Sequence, residues 1–176
     1  PARQDTWLSV SGFNYEGIPN FGRKAQRGVV VAALKSAIDS STALREDQNV
    51  FNLIACTGYP ELIPNMIVLN EDRDNTAFII GDTPMRLTAT GTAIQGWANN
   101  TEGSTSTGEE GLLTVNPYVG VYYPSGQTND LSGNAVAVPP SYAVLRAIIK
   151  SDNISYPWLA PAGTRRGLID NLNAIG

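Results

Sequence analysis

Histidine is absent from this chain of 176 residues, and the absence excludes a good deal of chemistry. A hydroxyl or thiol nucleophile activated by imidazole has no base here, and a zinc site with imidazole ligands has no donors. Cysteine is nearly absent as well: Cys56 stands alone, so no disulfide can close within the chain. Its setting in Phe51-Asn52-Leu53-Ile54-Ala55-Cys56-Thr57 reads as a buried thiol in a strand rather than a nucleophile. Charge is sparse and tilted to the acidic side, with 16% charged residues and a formal net charge of −4. A surplus of carboxylates repels phosphate and argues against a free-standing nucleic-acid binder. No apolar run approaches the length of a membrane span, and no basic-then-apolar leader pattern is seen at Pro1 onward. Gly-x-Gly-x-x-Gly, a Walker sequence and a nucleophile elbow are also missing.

What is present suffices for one folded domain. With 42% hydrophobic residues, a chain of this length buries a core without disulfides or metals. Residues 1–28, rich in Gly, Asn and Pro, read as an irregular N-terminal segment or arm, with Thr6 to Val10 as a short strand. Arg23, Lys24 and Arg27 form a small basic cluster there, read as a solvated patch. From Val29 to about Ala43, apolar residues at Val30, Val31, Leu34, Ala37 and Ile38 keep helical spacing, and Ser40-Ser41-Thr42 breaks it.

Short apolar runs then alternate with helical stretches. Asn49 to Cys56 reads as a buried strand, and Pro60 with Glu61 opens a helix through Leu62, Ile63, Met66, Ile67 and Leu69. Pro64 marks either its first turn or a kink. Asn70 to Asn75 is a charged exit loop, read as a solvated connector; it lacks the glycine and the distal glutamate of a calcium loop. Thr76 to Ile80 is a second strand. Thr83 then serves as N-cap and Pro84 as first residue of a helix through Leu87, Thr90, Ile94 and Trp97. Asn99 to Gly111 is a polar loop. Its Gly103 and Gly108 have phosphate-loop spacing, but Glu109 and Glu110 stand where Lys and Ser or Thr belong. Leu112 to Val115 and Tyr118 to Tyr123 add strand, and Pro124 to Gly133 is an exposed loop.

The last stretch, Ala135 to Gly167, is the most distinctive. Pro139 and Pro140 preset a helix start, and Tyr142, Ala143, Val144, Leu145, Ala147, Ile148 and Ile149 make a helix apolar nearly all round. The helix is expected to end after Lys150, at Ser151-Asp152-Asn153. Tyr156 to Gly163 then follows an extended path stiffened by Pro157 and Pro161 around Trp158. Trp158 either pins that loop to the core or anchors a partner, and position alone does not choose.

Strand and helix alternating in this order predict an α/β fold: a largely parallel or mixed sheet, helices on both faces, and the irregular N-terminal segment. Residues 29–176 form its core domain. Ligands in such folds favour the loops at the carboxyl ends of the strands, here Thr57 to Glu61 and Gly81 to Arg86. Asp82 and Glu61 are their only acidic groups, and each reads as a charge at the start of its own helix. No catalytic, cofactor-binding or metal-binding residue is assigned.

Val138-Pro139-Pro140-Ser141 followed one helix later by Trp158-Leu159-Ala160-Pro161-Ala162-Gly163 resembles the signature region of contractile bacteriophage tail sheath proteins. Val50 to Cys56 and Thr76 to Asp82 resemble the first two core strands of that family, so the likeness covers about Ala43 to Gly167. The resemblance implies a structural protein of the virion, assembled in the bacterial host cytoplasm. Its partners would be other copies of itself, a tail tube and a baseplate, with no nucleic acid, membrane or cofactor. Copies would stack as six-fold rings and shift to a shorter, wider lattice that drives the tube through the host envelope. Contractile bacteriocins and injection machines use sheaths of similar build, and the residues do not separate them. Sheath proteins continue past this segment into a further domain and arms. The chain is therefore expected to be a piece of a longer protein and monomeric by itself. Arg165 and Arg166, beside Gly163-Thr164 at a helix start where positive charge opposes the dipole, are read as assembly contacts along with Trp158. Solvated arginines with packed stems are the plainer account. From another class, the alternative is a nucleotide- or small-molecule-binding α/β enzyme domain using the 57–61 and 81–86 loops.

Overall fold

The computed structural model describes residues 23–85, 87–99, 111–112, 115–156, 158–170 and 172–175, with backbone alone for 23–26 and 165. Helix α1 (Arg23–Ser40) leads to strand β1 (Leu53–Ala55). A short 3₁₀ turn (Pro60–Leu62) runs into α2 (Ile63–Glu71), followed by β2 (Phe78–Asp82), α3 (Gly91–Ala98) and β3 (Val119–Tyr122). The antiparallel strands β4 (Gly126–Asn129) and β5 (Ala135–Val138) come next. Then follow α4 (Pro140–Ile154), α5 (Gly163–Arg166) and β6 (Ala174–Ile175).

The expected α/β architecture is what forms. β1, β2 and β3 make a parallel three-stranded sheet in that order, with Ile54 opposite Ile79 and Gly81 opposite Val121. Side chains alternate between the two faces of a strand. Ile79 of β2, with Ile54, Val119 and Val121 of its neighbours, packs into a core with Leu62, Ile63, Met66, Ile67 and Leu69. Gly81 shares that face, and a Cβ there would meet Ile63 Cδ1 at 2.9 Å, so the missing side chain lets α2 sit close. Asp82, one residue on, points to the opposite face, where α4 begins. Leu34 and Ile38 bring α1 onto the outside of α2.

Several elements depart from the sequence reading. Helix α1 begins at Arg23, inside the segment expected to be irregular. The turn ahead of Gly28 is held by tertiary contacts of Arg27, which spacing does not register. Residues 1–22, and the side chains of Arg23 and Lys24, lie outside the described residues, as does the polar loop over 100–110. β1 is only three residues long, and Cys56 falls just past it, half-buried. Pro64 occupies the first turn of α2 and introduces no kink.

The exit loop is not simply solvated. Asn70 is buried and exchanges two hydrogen bonds with the backbone of Ala77, donating at 2.9 Å and accepting at 3.0 Å. Arg73 is buried too, stacked on Phe51 and donating to the carbonyls of Leu44, Glu46 and Asn49. Thr83 and Pro84 do not start a helix. α3 begins instead at Gly91 after Thr90, and the Tyr123 hydroxyl donates to the carbonyls of Thr88 and Thr90 ahead of it.

The loop expected over 124–133 contains strand β4, paired with β5 on one side and β6 on the other. Asp130 builds the turn between β4 and β5: its carboxylate accepts from the backbone N–H of Ser132 and Asn134 and from the Asn134 amide. Those bonds, the Asn134 side chain first, hold the Asp130 carboxyl below its ordinary range. Helix α4 starts where the double proline says, but it runs four residues past Lys150 to Ile154. It is not buried all round: Pro140, Ser141, Ala143 and Ser151 are buried, while Tyr142 and Ile149 face outward.

Candidate functional site

Two places were singled out by sequence, and they differ in kind. The first is the carboxyl end of the parallel sheet. Asp82, 2% exposed, ends β2 and is fully engaged by the chain itself. Its carboxylate accepts from the backbone N–H of Gly58 (2.7 Å), the backbone N–H of Ser141 (2.6 Å) and the Ser141 hydroxyl (2.7 Å). Gly58 presents its N–H from a backbone at φ +83°, a conformation glycine adopts without strain. Ser141 lies in the first turn of α4, where N–H groups lack helical partners and negative charge is favoured. Asp82 is thus a helix N-terminal charge, as read, but for α4 and not for the segment that follows it.

Glu61 is likewise engaged. Both oxygens accept from the Arg27 guanidinium at 2.9 and 3.0 Å, and the two side chains are nearly buried. Arg27 also donates to the Gly58 carbonyl and lies over the Tyr59 ring. The basic cluster read as solvated therefore includes a structural arginine that ties α1 to the loop after β1. Cys56 sits beside this network, and burial, then the negative charges of Asp82 and Glu61, push its thiol upward. Activation of a thiol needs the opposite shift. Among the described residues no group of three acidic or thiol side chains could hold a metal ion. No helix among them is long and apolar enough to cross a membrane.

The second place is the segment after α4. Ser151 is buried and its hydroxyl donates to the Leu159 carbonyl at 3.5 Å, which closes the chain back on the helix end. The side chains in between turn outward. Trp158 is 76% exposed and Tyr156 is 64% exposed, so Trp158 does not pin the loop to the core. The two rings stack with centroids 4.8 Å apart and planes 5° from parallel. Beside them Ile154, Ser155, Ala162, Gly163, Thr164 and Arg166 line an open cleft of about 530 Å³. Arg166 in α5 reaches the Ser155 hydroxyl at 3.5 Å. The Arg165 side chain lies outside the described residues.

The structure brings Arg166 to Ser155, the residue before the stacked aromatic pair, in a region far in character from the filled sheet end. Sequence reasoning missed the links of Asp82 to Gly58 and Ser141, since partners 24 and 59 residues away leave no local pattern. Comparison of the chain with protein-family models, with curated proteins and with solved structures finds no match.

Proposed function

We propose that this chain is a structural subunit of a contractile phage tail sheath, or of a sheath in a related contractile machine. It works by packing against copies of itself around a tube and makes and breaks no covalent bonds. The observation that carries the reading is the exposed Tyr156–Trp158 stack, in the segment whose residues resemble the sheath signature. Monomeric surfaces rarely leave such rings uncovered, and tryptophan and tyrosine are favoured at contact sites. The other half of the resemblance, Val138 to Ser141, lies where α4 is clamped to the sheet by Asp82. That clamp makes a rigid body of the sheet and the helix leading to the aromatic segment, as a switching lattice requires of its subunits. It also occupies donors that an enzyme of this fold class would offer to a ligand.

Negative-stain electron microscopy of the intact gene product tests the proposal. Striated cylinders are expected. Dispersed particles under every condition, together with micromolar binding of nucleotides or sugar phosphates by calorimetry, would replace it with the enzyme reading.

A further inference from the structure

Ile154, Tyr156 and Trp158 present three large apolar side chains within five residues, and Ile154 is 63% exposed. Because Tyr156 and Trp158 already stack on each other, little side-chain freedom remains to be lost when something docks. Arg166 shares a cleft with Ile154 and with Ser155, the residue before Tyr156, and has no carboxylate partner among the described residues. An aromatic pair with a nearby guanidinium that has no carboxylate partner fits an acidic protein surface.

The same chain carries such a surface. Glu46, Asp47, Glu71, Asp72 and Asp74 are all exposed. They gather at one corner, because Arg45 bonds Asp72 at 2.7 Å and Arg73 bonds the carbonyls of Leu44, Glu46 and Asn49. These five carboxylates outnumber the two guanidiniums there, Arg45 and Arg73, so the corner is net negative. It ends α2, on one face of the parallel sheet, whereas α4 is anchored on the other face through Asp82. No hydrogen bond or ion pair joins the two surfaces among the described residues.

We propose that the Tyr156–Trp158–Arg166 surface of one copy docks on the Glu46–Asp74 corner of the next. The inference rests on the sheath reading and deepens it by naming the faces that meet. Since the two patches differ, the contact is heterologous and propagates head to tail into rings or helical arrays. One such contact is small, and repetition in a lattice raises the effective concentration that sustains it.

The test uses the intact gene product. Trp158→Ala and Arg166→Glu should each raise the concentration needed for assembly roughly tenfold or more. Glu46→Lys with Asp47→Lys should do the same, and combining that pair with Arg166→Glu should recover assembly. A cysteine pair, Thr164→Cys with Asp47→Cys, should give a ladder of disulfide-linked oligomers on oxidation, and each single variant no ladder. Unchanged assembly in all the charge variants with no ladder overturns the docking contact while leaving the sheath reading standing. A protein that never forms cylinders, yet still gives the ladder, defeats the sheath reading and keeps the contact. Trp158-dependent binding of single-stranded DNA or of an isolated tube protein, with no ladder, also overturns it.

Discussion

The parallel sheet and the segment after α4 both draw on apolar residues, yet they use them in opposite ways. In and against the sheet, Leu62, Ile79 and Ile80 are completely buried, and the Asp82 and Glu61 carboxylates at its end are both engaged by partners within the chain. At the end of α4 and just beyond it, Ile154, Tyr156 and Trp158 stand in solvent; the two rings stack on each other, and a buried serine closes the segment back on the helix. The difference teaches that the first region stabilises this molecule, while the second leaves its apolar surface open and is the surface the proposed contact would use.

That contrast can be broken from its buried side. Asp82→Ala should have the largest effect, because it strands the N–H groups of Gly58 and Ser141 at roughly 1–3 kcal/mol each. A loss of about 4 kcal/mol is expected, read as a lower urea midpoint at unchanged slope. Leu62→Ala should follow at about 3 kcal/mol, the usual range for a core leucine that leaves a cavity. If either variant keeps the native midpoint, the sheet is not the rigid part of the molecule. Asn70→Ala should cost about 2 kcal/mol, since it leaves both backbone groups of Ala77 unpaired.

The exposed side sharpens the comparison with smaller numbers. Trp158→Ala should move stability by no more than about 0.5 kcal/mol, as expected of a surface side chain, while assembly of the intact protein suffers. A large drop in midpoint would place Trp158 with the core after all. Smallest of all is the effect at Asp170, which the Lys150 ammonium contacts at 2.5 Å. The hydrogen bond and charge of Lys150, then Arg146, hold this carboxyl below its ordinary range. A depressed folded value means the contribution is full above the unfolded pKa and is lost as pH falls through the folded one. Lys150→Met should let the Asp170 titration, followed by NMR, climb toward the ordinary carboxylate value.

Much of the layer structure was legible because it rests on local patterns. The prolines at 60, 64 and 140 stand at helix starts, and the apolar runs around Ile54 and Ile79 become adjacent parallel strands. β4 was not legible: Gly126-Gln127-Thr128-Asn129 has no apolar rhythm, and only pairing with Ala135 to Val138 makes it a strand. Nor was Arg73, whose surroundings of charged neighbours suggest water while its contacts are carbonyls and an aromatic face. At the candidate surface, Trp158 and Arg166 were named from sequence, but whether the ring turned in or out was open.

Composition and short-range spacing alone determined that histidine chemistry is excluded, that helices and buried strands alternate, and that proline opens the 3₁₀ turn, α2 and α4. These follow from side-chain inventory and from backbone preferences acting over a few residues. Tertiary structure decided which acidic group serves which helix, which polar strand joins a sheet, and which aromatic is left outside. Each of those outcomes depends on what lies across the fold, and no window of neighbouring residues contains that.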